Sequence, residues 1–179
     1  DVTKTYDGTS YGVTAVASIE GATIKYKDAE GNYTLDASPT KKNVGEKEVE
    51  FEASLYGYKT VTGKATIEIT KRPVKVVTYG NTKVYDGKPL TAGGEVNGLV
   101  DGETVSFAIT GTQTLVGSSN NTYTLEWNKS ADKDNYQVLP ESVGVLEVTP
   151  QSINPGPNPE NPDPSYDGIQ IDSPSDVEY

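Results

Sequence analysis

The 179-residue chain contains no cysteine, no histidine and no methionine. Without cysteine it has no disulfide, no thiol nucleophile and no cysteine-ligated zinc site. Without histidine it lacks the side chain used most often as a general base and as a metal ligand. A Ser-His-Asp triad is therefore excluded. We predict from these absences that the chain is not an enzyme and that it binds no cofactor or metal.

Positive charge and long apolar runs are also scarce. Lys and Arg number 15 against 26 Asp and Glu, which gives a net charge of −11. An acidic chain without basic clusters is repelled by nucleic acid and by anionic membrane surfaces. No stretch approaches the roughly 20 apolar residues that a membrane-spanning helix needs. We therefore expect no nucleic-acid partner and no membrane insertion.

A short phrase of the sequence occurs twice, as "KTYDGTSYG" at residues 4–12 and as "KVYDGKPLT" at residues 83–91. The Tyr-Asp-Gly motifs within it begin 79 positions apart, and a closing segment follows each, "ATIEIT" and then "GVLEVT". A Val-Gly pair lies between motif and closing segment in both copies. Landmarks that recur in the same order predict two tandem units of one kind. The motif residues are Tyr6, Asp7 and Gly8 in the first copy and Tyr85, Asp86 and Gly87 in the second.

These landmarks divide the chain into four segments. We assign residues 1–72 to a first β repeat domain that lacks its first strand, and residues 73–149 to a second β repeat domain. Six prolines in residues 150–165 favour polyproline II and predict a semi-rigid linker. Residues 166–179 align with the segment that precedes the second motif, so we interpret them as the truncated start of a third repeat.

Period-2 alternation indicates strands and no helix. Val49, Phe51 and Ala53 alternate with three glutamates, the pattern of a strand with one buried face. Asp-Gly and Glu-Gly turn signals separate such segments, and no window shows the 3.6-residue period of a helix. The predicted fold is all-β, with two tandem small antiparallel β-sandwich domains of immunoglobulin-like type. The alternative is a pair of β-grasp-like units, although that fold requires a helix.

The Tyr-Asp-Gly motif has a structural interpretation as a turn. The tyrosine would end a strand with its ring in the core and its hydroxyl at the rim. The aspartate would accept a hydrogen bond from the N–H two residues on, and the glycine would supply a positive φ. We predict a structural role for both copies and no binding role.

Longer stretches of the chain resemble a known family. "KVYDGKPLTAGGEVNGLVDGETVSF", "NNTYTLEWN" and "KDNYQVLPESVGVLEVT" resemble the YDG/MBG-type tandem repeats of adhesin-like surface proteins of Gram-positive gut bacteria. The first unit resembles a related subtype of the same repeats. The resemblance implies an extracellular segment, either associated with the cell wall or secreted. Mucin binding is linked to the family's name, but no residue motif here carries it.

The expected function is that of a non-enzymatic stalk or spacer, whose partners are the neighbouring repeats of the same chain. The alternative is an adhesion module that binds host glycan or mucin. The weak candidates for its binding surface are Tyr56, Tyr58 and Trp127, of which Trp127 fits the core better.

Two further features of the sequence concern metal binding and strand exchange. Asp132, Asp134 and Asn135 form an oxygen-rich loop, but they lack the remaining ligand positions of an EF-hand. Residues 168–172, "GIQID", carry the alternation of a strand. One hypothesis is that they pair with an exposed sheet edge, for example that of a neighbouring molecule; the alternative, which we favour, is a tail without such pairing.

Overall fold

The computed structural model of the chain describes residues 1–153, and this part is built from thirteen β-strands. It contains no α-helix, only one turn of 3-10 helix at Lys133–Asn135, so the all-β prediction is confirmed. The helix that a β-grasp unit requires is not found in the described part. The predicted linker and third repeat lie beyond residue 153, outside the described residues. The strands are β1 (Val2–Thr5), β2 (Thr23–Lys27), β3 (Tyr33–Leu35), β4 (Gly45–Ser54), β5 (Val61–Thr70), β6 (Arg72–Thr78), β7 (Asn81–Val84), β8 (Gly94–Asn97), β9 (Ser106–Ile109), β10 (Gly117–Asn120), β11 (Tyr123–Glu126), β12 (Tyr136–Val138) and β13 (Val145–Thr149).

The first unit forms one five-stranded sheet in the order β1-β5-β4-β2-β3. Its centre is the antiparallel pair of β4 and β5, in which Val49 lies opposite Ala65. Val49 is almost fully buried, whereas its neighbour Glu48 is exposed. The alternation read from the sequence therefore sets which face of β4 packs inward.

The second unit distributes its strands over three smaller sheets. Their orders are β12-β6-β8, β10-β13-β7 and β11-β9. The long strand β4 of the first unit is replaced here by two shorter strands, β10, which pairs with β13, and β11, which pairs with β9. Asn121 lies between β10 and β11, and its side-chain amide donates to the carbonyls of Tyr79, Ala92 and Gly93 at 3.0–3.2 Å. These bonds hold the chain at the point where it passes from the sheet of β10 to that of β11.

The expectation of purely antiparallel sheets is wrong. β1 runs parallel to β5, β6 to β12 and β7 to β13. The reason is connectivity: the strands at the start of a unit lie beside those at its end, and the whole unit intervenes between them. A long connection of this kind permits parallel pairing, which a tight hairpin does not.

The pairing pattern recurs between the two units with the spacing of the motifs. Lys4 lies opposite Ile69 just as Lys83 lies opposite Val148, and both pairs are related by 79 positions. The Tyr6 N–H donates to the Thr70 carbonyl at 2.9 Å, and the corresponding bond of Tyr85 to Thr149 measures 2.8 Å. β1 therefore corresponds to β7, and no strand within residues 1–153 takes the place of β6 in the first unit.

One apolar cluster joins the two units. A single residue, Lys71, separates β5 from β6, and the two strands are not paired with each other. Side chains from both sides of this point are buried together, so the units share part of their core. The buried members of the cluster are Tyr6, Val13, Tyr26, Val49, Ile67, Ile69, Val74, Ala131 and Tyr136.

Replacing Gly87 by valine should lower the free energy of unfolding by about 1–3 kcal/mol. The φ of Gly87 is +74°, a conformation in which a β-branched side chain is strained. A Cβ atom there would meet no other atom within 4 Å, so the loss would come from the backbone alone. Gly87→Asn is the matched control, because asparagine tolerates positive φ. Chemical denaturation measures the difference, and equal stabilities of Gly87→Val and the parent would disprove the role of the glycine.

Candidate functional site

The Tyr-Asp-Gly motifs at residues 6–8 and 85–87 form turns in the structure. Asp7 Oδ1 accepts a hydrogen bond from the Thr9 N–H at 2.8 Å, and Asp86 Oδ1 accepts one from the Lys88 N–H at 2.9 Å. The φ of Gly8 is +80°. A hydrogen bond from the Tyr11 hydroxyl lowers the pKa of the Asp7 carboxyl below its usual range, and the bond from Thr9 adds to this effect. The aspartates thus serve as acceptors that close the turn.

The two motif tyrosines lie in different surroundings. Tyr6 is 3% exposed, whereas Tyr85 is 39% exposed. Tyr6 is covered because the first unit packs against the second, and nothing in residues 1–153 covers Tyr85 in the same way. The expected core ring is therefore found at Tyr6, but the Tyr6 hydroxyl binds Glu103 inside the contact between the units and does not lie at the rim. Tyr85 does not fit the interpretation.

A tyrosine pair and a carboxylate form the centre of the contact between the units. The ring of Tyr6 meets that of Tyr136 edge to face, with centroids 5.6 Å apart. The Tyr6 hydroxyl donates to Glu103 Oε1 at 2.5 Å, and the Tyr136 hydroxyl donates to the other oxygen of the same carboxylate. Burial, followed by the bond to Glu103, raises the pKa of Tyr136 to about 12 and that of Tyr6 further still.

The oxygen-rich loop at residues 132–135 also belongs to this contact. Asp132 accepts from the Asp134 N–H and so caps the 3-10 turn. Asn135 is buried; its Oδ1 accepts from the Val44 N–H at 2.9 Å, and its Nδ2 donates to Asn43 Oδ1 at 3.2 Å. Within residues 1–153 no group of three acidic, histidine or cysteine side chains is placed to hold a metal ion. The loop joins the units through hydrogen bonds.

Of the three aromatic binding candidates, Trp127 packs against the core. It is half-buried, and its ring lies 5.3 Å from that of Tyr136 at an angle of 34°. Tyr56 is fully exposed, and Tyr58 is 58% exposed. The structure does not bring Trp127 together with the two tyrosines, so the three residues form no common sugar-stacking platform.

Tyr58 lines an apolar groove of about 520 Å³ at the end of the first unit that lies away from the second. Residues 16–19 form one wall and residues 58–63 the other, while Phe51, Ala53 and Leu55 lie between them. Val16 is 87% exposed at its rim. A groove with so many aliphatic atoms and so few polar groups favours an apolar surface as its occupant.

A glycine on β5 shapes the floor of the groove. Gly63 lies opposite Phe51 in the β4–β5 register. A Cβ atom on Gly63 would come within 2.5 Å of the Phe51 ring, so the ring lies over the glycine backbone. Any larger residue at this position would push the ring out of its place.

Sequence reasoning identified Tyr58 but missed the groove around it. The available signal was the apolar content of residues 15–19, "AVASI", which lie outside any strand yet carry exposed aliphatic side chains. Aliphatic residues in a loop indicate a surface that another element covers or could cover.

A scan against protein-family models finds no match to the chain, and searches of the curated proteins and of the solved structures find none either. The resemblance to YDG/MBG-type repeats thus remains a matter of the motifs quoted above. No helix in the described part is long and apolar enough to cross a membrane.

Raising the pH should weaken the contact between the units. The pKa of Tyr136 is about 12 in the folded chain against an ordinary value of 10.0, so its contribution to stability is complete below about pH 10 and is lost as the pH rises to about 12. Thermal unfolding across this range should show a smaller decline for Tyr136→Phe than for the parent.

The control for this measurement is Tyr56→Phe, because Tyr56 is fully exposed and should leave the alkaline decline unchanged. Identical declines in the parent and in Tyr136→Phe would contradict the role assigned to this tyrosine.

Proposed function

We propose that the chain is a non-enzymatic modular spacer, a segment of tandem β repeats in an extracellular, adhesin-like surface protein of a Gram-positive bacterium. The observation that carries this proposal is the buried contact between the units, where Tyr6 and Tyr136 share the Glu103 carboxylate. A spacer holds the parts that it connects at a set distance only if its units keep a fixed orientation. A buried contact with directed hydrogen bonds favours a fixed orientation. The quoted resemblance to YDG/MBG-type repeats supports the location and the family context.

In this proposal each unit is a small sandwich of immunoglobulin-like type. The second unit supports it best, because its strands separate into sheets whose inner faces carry the buried residues Val76, Leu146 and Val148. The first strand of the unit contributes to two of these sheets in succession, as β6 and then as β7. A strand that changes sheets part-way is a feature of sandwiches with bent edges.

The fixed orientation of the units can be measured as a distance between spin labels. The chain has no cysteine, so cysteines introduced by Glu46→Cys and Glu126→Cys are labelled uniquely, one in each unit. Both glutamates are exposed. We expect one narrow distance distribution for the full chain, and a broad one after Tyr6→Ala, because that variant removes the ring and hydroxyl at the contact.

Tyr56→Ala is the control for the spin-label measurement, because it removes a fully exposed ring and should keep the narrow distribution. A distribution that is already broad without Tyr6→Ala would refute the spacer with fixed orientation.

The second candidate function is adhesion to host glycan or mucin, and the exposed ring of Tyr58 at the groove favours it. Sugar recognition needs an aromatic face together with polar groups that bind the sugar hydroxyls. The groove supplies the aromatic face but few of the polar groups. Binding on a glycan array that Tyr58→Ala removes and Tyr56→Ala preserves would establish this function. Binding that survives both substitutions would place the glycan elsewhere.

A further inference from the structure

The groove of the first unit lies where the second unit has a strand. The pairing of Tyr11 with Lys41 corresponds to that of Leu90 with Gln113, so Tyr11 and Leu90 occupy equivalent places. With the same spacing as between Tyr11 and Leu90, residues 15–18 correspond to β8. They show the same alternation of half-buried and exposed positions as β8. One wall of the groove is therefore the counterpart of β8.

The opposite wall is the counterpart of β12. Ile67 and Leu146 are equivalent by their pairing with β1 and β7, which places Tyr58 at the position of Gln137, the residue after Tyr136. In the second unit β6 lies between these two elements, antiparallel to β8 and parallel to β12. Its residues Val74 and Val76 are each 2% exposed. The groove of the first unit is the equivalent of the space that β6 fills in the second unit, and no strand within residues 1–153 fills it.

The backbone beside the groove has an open edge. β1 pairs only with residues 67–70 of β5, and β4 occupies the other side of that strand. No strand within residues 1–153 pairs with the first half of β5 on the side of β1. In the second unit the corresponding backbone is paired: the Leu139 N–H donates to the Val74 carbonyl at 2.8 Å and the Ser142 N–H to the Val76 carbonyl at 3.0 Å. An apolar groove beside unpaired backbone is the arrangement that accepts an added strand.

We propose that this groove accepts a β-strand, and that the strand is residues 168–172 of a second copy of the chain. Those residues read "GIQID", so Ile169 and Ile171 fall on one face with the spacing that Val74 and Val76 have in β6. The donated strand lies in line with β1, parallel to β5 and antiparallel to residues 15–18. This inference goes beyond the spacer function, because it concerns how separate chains join.

The reach of the tail decides between its own groove and that of a second copy. β5 spans about 33 Å, and residues 72–84 continue for about 40 Å, at about 3.3 Å per residue. β6 is paired with neither β5 nor β7, and β12 and β13 run parallel to β6 and β7 in the same order, so the chain runs on without reversal. Along this path the groove lies about 75 Å from Thr149. The nineteen Cα–Cα steps from Thr149 to residue 168 reach at most about 68 Å when fully extended, so the tail falls short of its own groove, which favours a second copy.

The residues at the end of the groove indicate whether a single strand or a whole packed unit occupies it. The turn of residues 19–22, closed by the bond from the Ala22 N–H to the Ile19 carbonyl, matches the turn closed by Glu103 and Val100. Ala22 thus stands where the second unit has the carboxylate that accepts two tyrosine hydroxyls. The first unit cannot repeat that contact, so apolar side chains and backbone hydrogen bonds remain as the means of recognition.

The test is the self-association of the full 179-residue chain, measured by sedimentation over a range of concentrations at about 0.15 M salt or above, where repulsion between two acidic chains is screened. The parent should associate. Tyr58→Glu should weaken association by about tenfold or more, because it places a charge in the apolar groove. Tyr56→Glu, two residues away and outside the groove, should not. The paired variant Ile169→Glu/Ile171→Glu should weaken association like Tyr58→Glu, whereas Gln170→Glu, on the other face of the strand, should not.

Mixing separates the two halves of the proposal. Tyr58→Glu retains the donor segment and Ile169→Glu/Ile171→Glu retains the groove. Each variant alone should associate more weakly than the parent, and a mixture of the two should form one-to-one complexes. A parent chain that stays monomeric would overturn the proposal, as would association that Tyr58→Glu or the isoleucine substitutions leave unchanged. Because the spin-label measurement concerns the contact inside one chain, the spacer function and this inference can fail independently.

Discussion

The structure depends on the contact in which Tyr6 and Tyr136 donate to the two oxygens of Glu103. A unit of about 75 residues buries only roughly 60–65% of the surface that its unfolded chain exposes, so its core is small. Here the two units enlarge it by sharing: Tyr6 and Ile69 come from one side of the joint, and Val74 and Tyr136 from the other. The carboxylate in the middle receives two hydroxyl donors, which replace water as its hydrogen-bond partners. Removing either tyrosine leaves Glu103 with less of that compensation.

The Tyr-Asp-Gly motif therefore has different roles at residues 6–8 and at residues 85–87. In both copies the aspartate and glycine shape a turn after the first strand, through the bonds to Thr9 and Lys88. The tyrosine differs, because its surroundings are supplied by a neighbouring unit and not by its own. Tyr85, Leu115 and Val116 are exposed at the far end of the second unit, and their counterparts Tyr6, Asn43 and Val44 lie at the joint. An identical local sequence thus gives an identical turn and a different burial.

Much of the fold could be predicted from the sequence because alternation is a local signal. It indicated that Val49 and Phe51 face inward and that no helix is present. The parallel pairing of first and last strands could not be read in this way, since it depends on residues more than 60 positions apart. The interruption between β10 and β11 is a third case: Asn121 corresponds to Val49, and only the three carbonyls around its amide explain why a buried polar residue is accepted there.

The candidate site could not be predicted from the sequence for a related reason. A groove is the space between two elements, and such a space gives no periodic signal in the sequence; the only sign of it is the aliphatic residues of the loop at 15–19.

β6 has two roles in this architecture: it links the two units, and it fills the core of the second unit. It leaves the first unit after a single residue, enters the second between β8 and β12, and buries Val74 and Val76 there. The strand that links two units is thus also the strand that completes the later one. It follows that completeness of a unit is not a property of its own residues alone. The first unit has all the elements that flank such a strand, with the apolar wall at 15–18 and the open edge of β5, and these are the surfaces that any chain completing it must cover. Backbone spacing and small residues such as Ala17 and Gly63 shape the groove. The groove therefore disfavours bulky or charged side chains that face inward, and it favours an extended chain with alternating aliphatic residues.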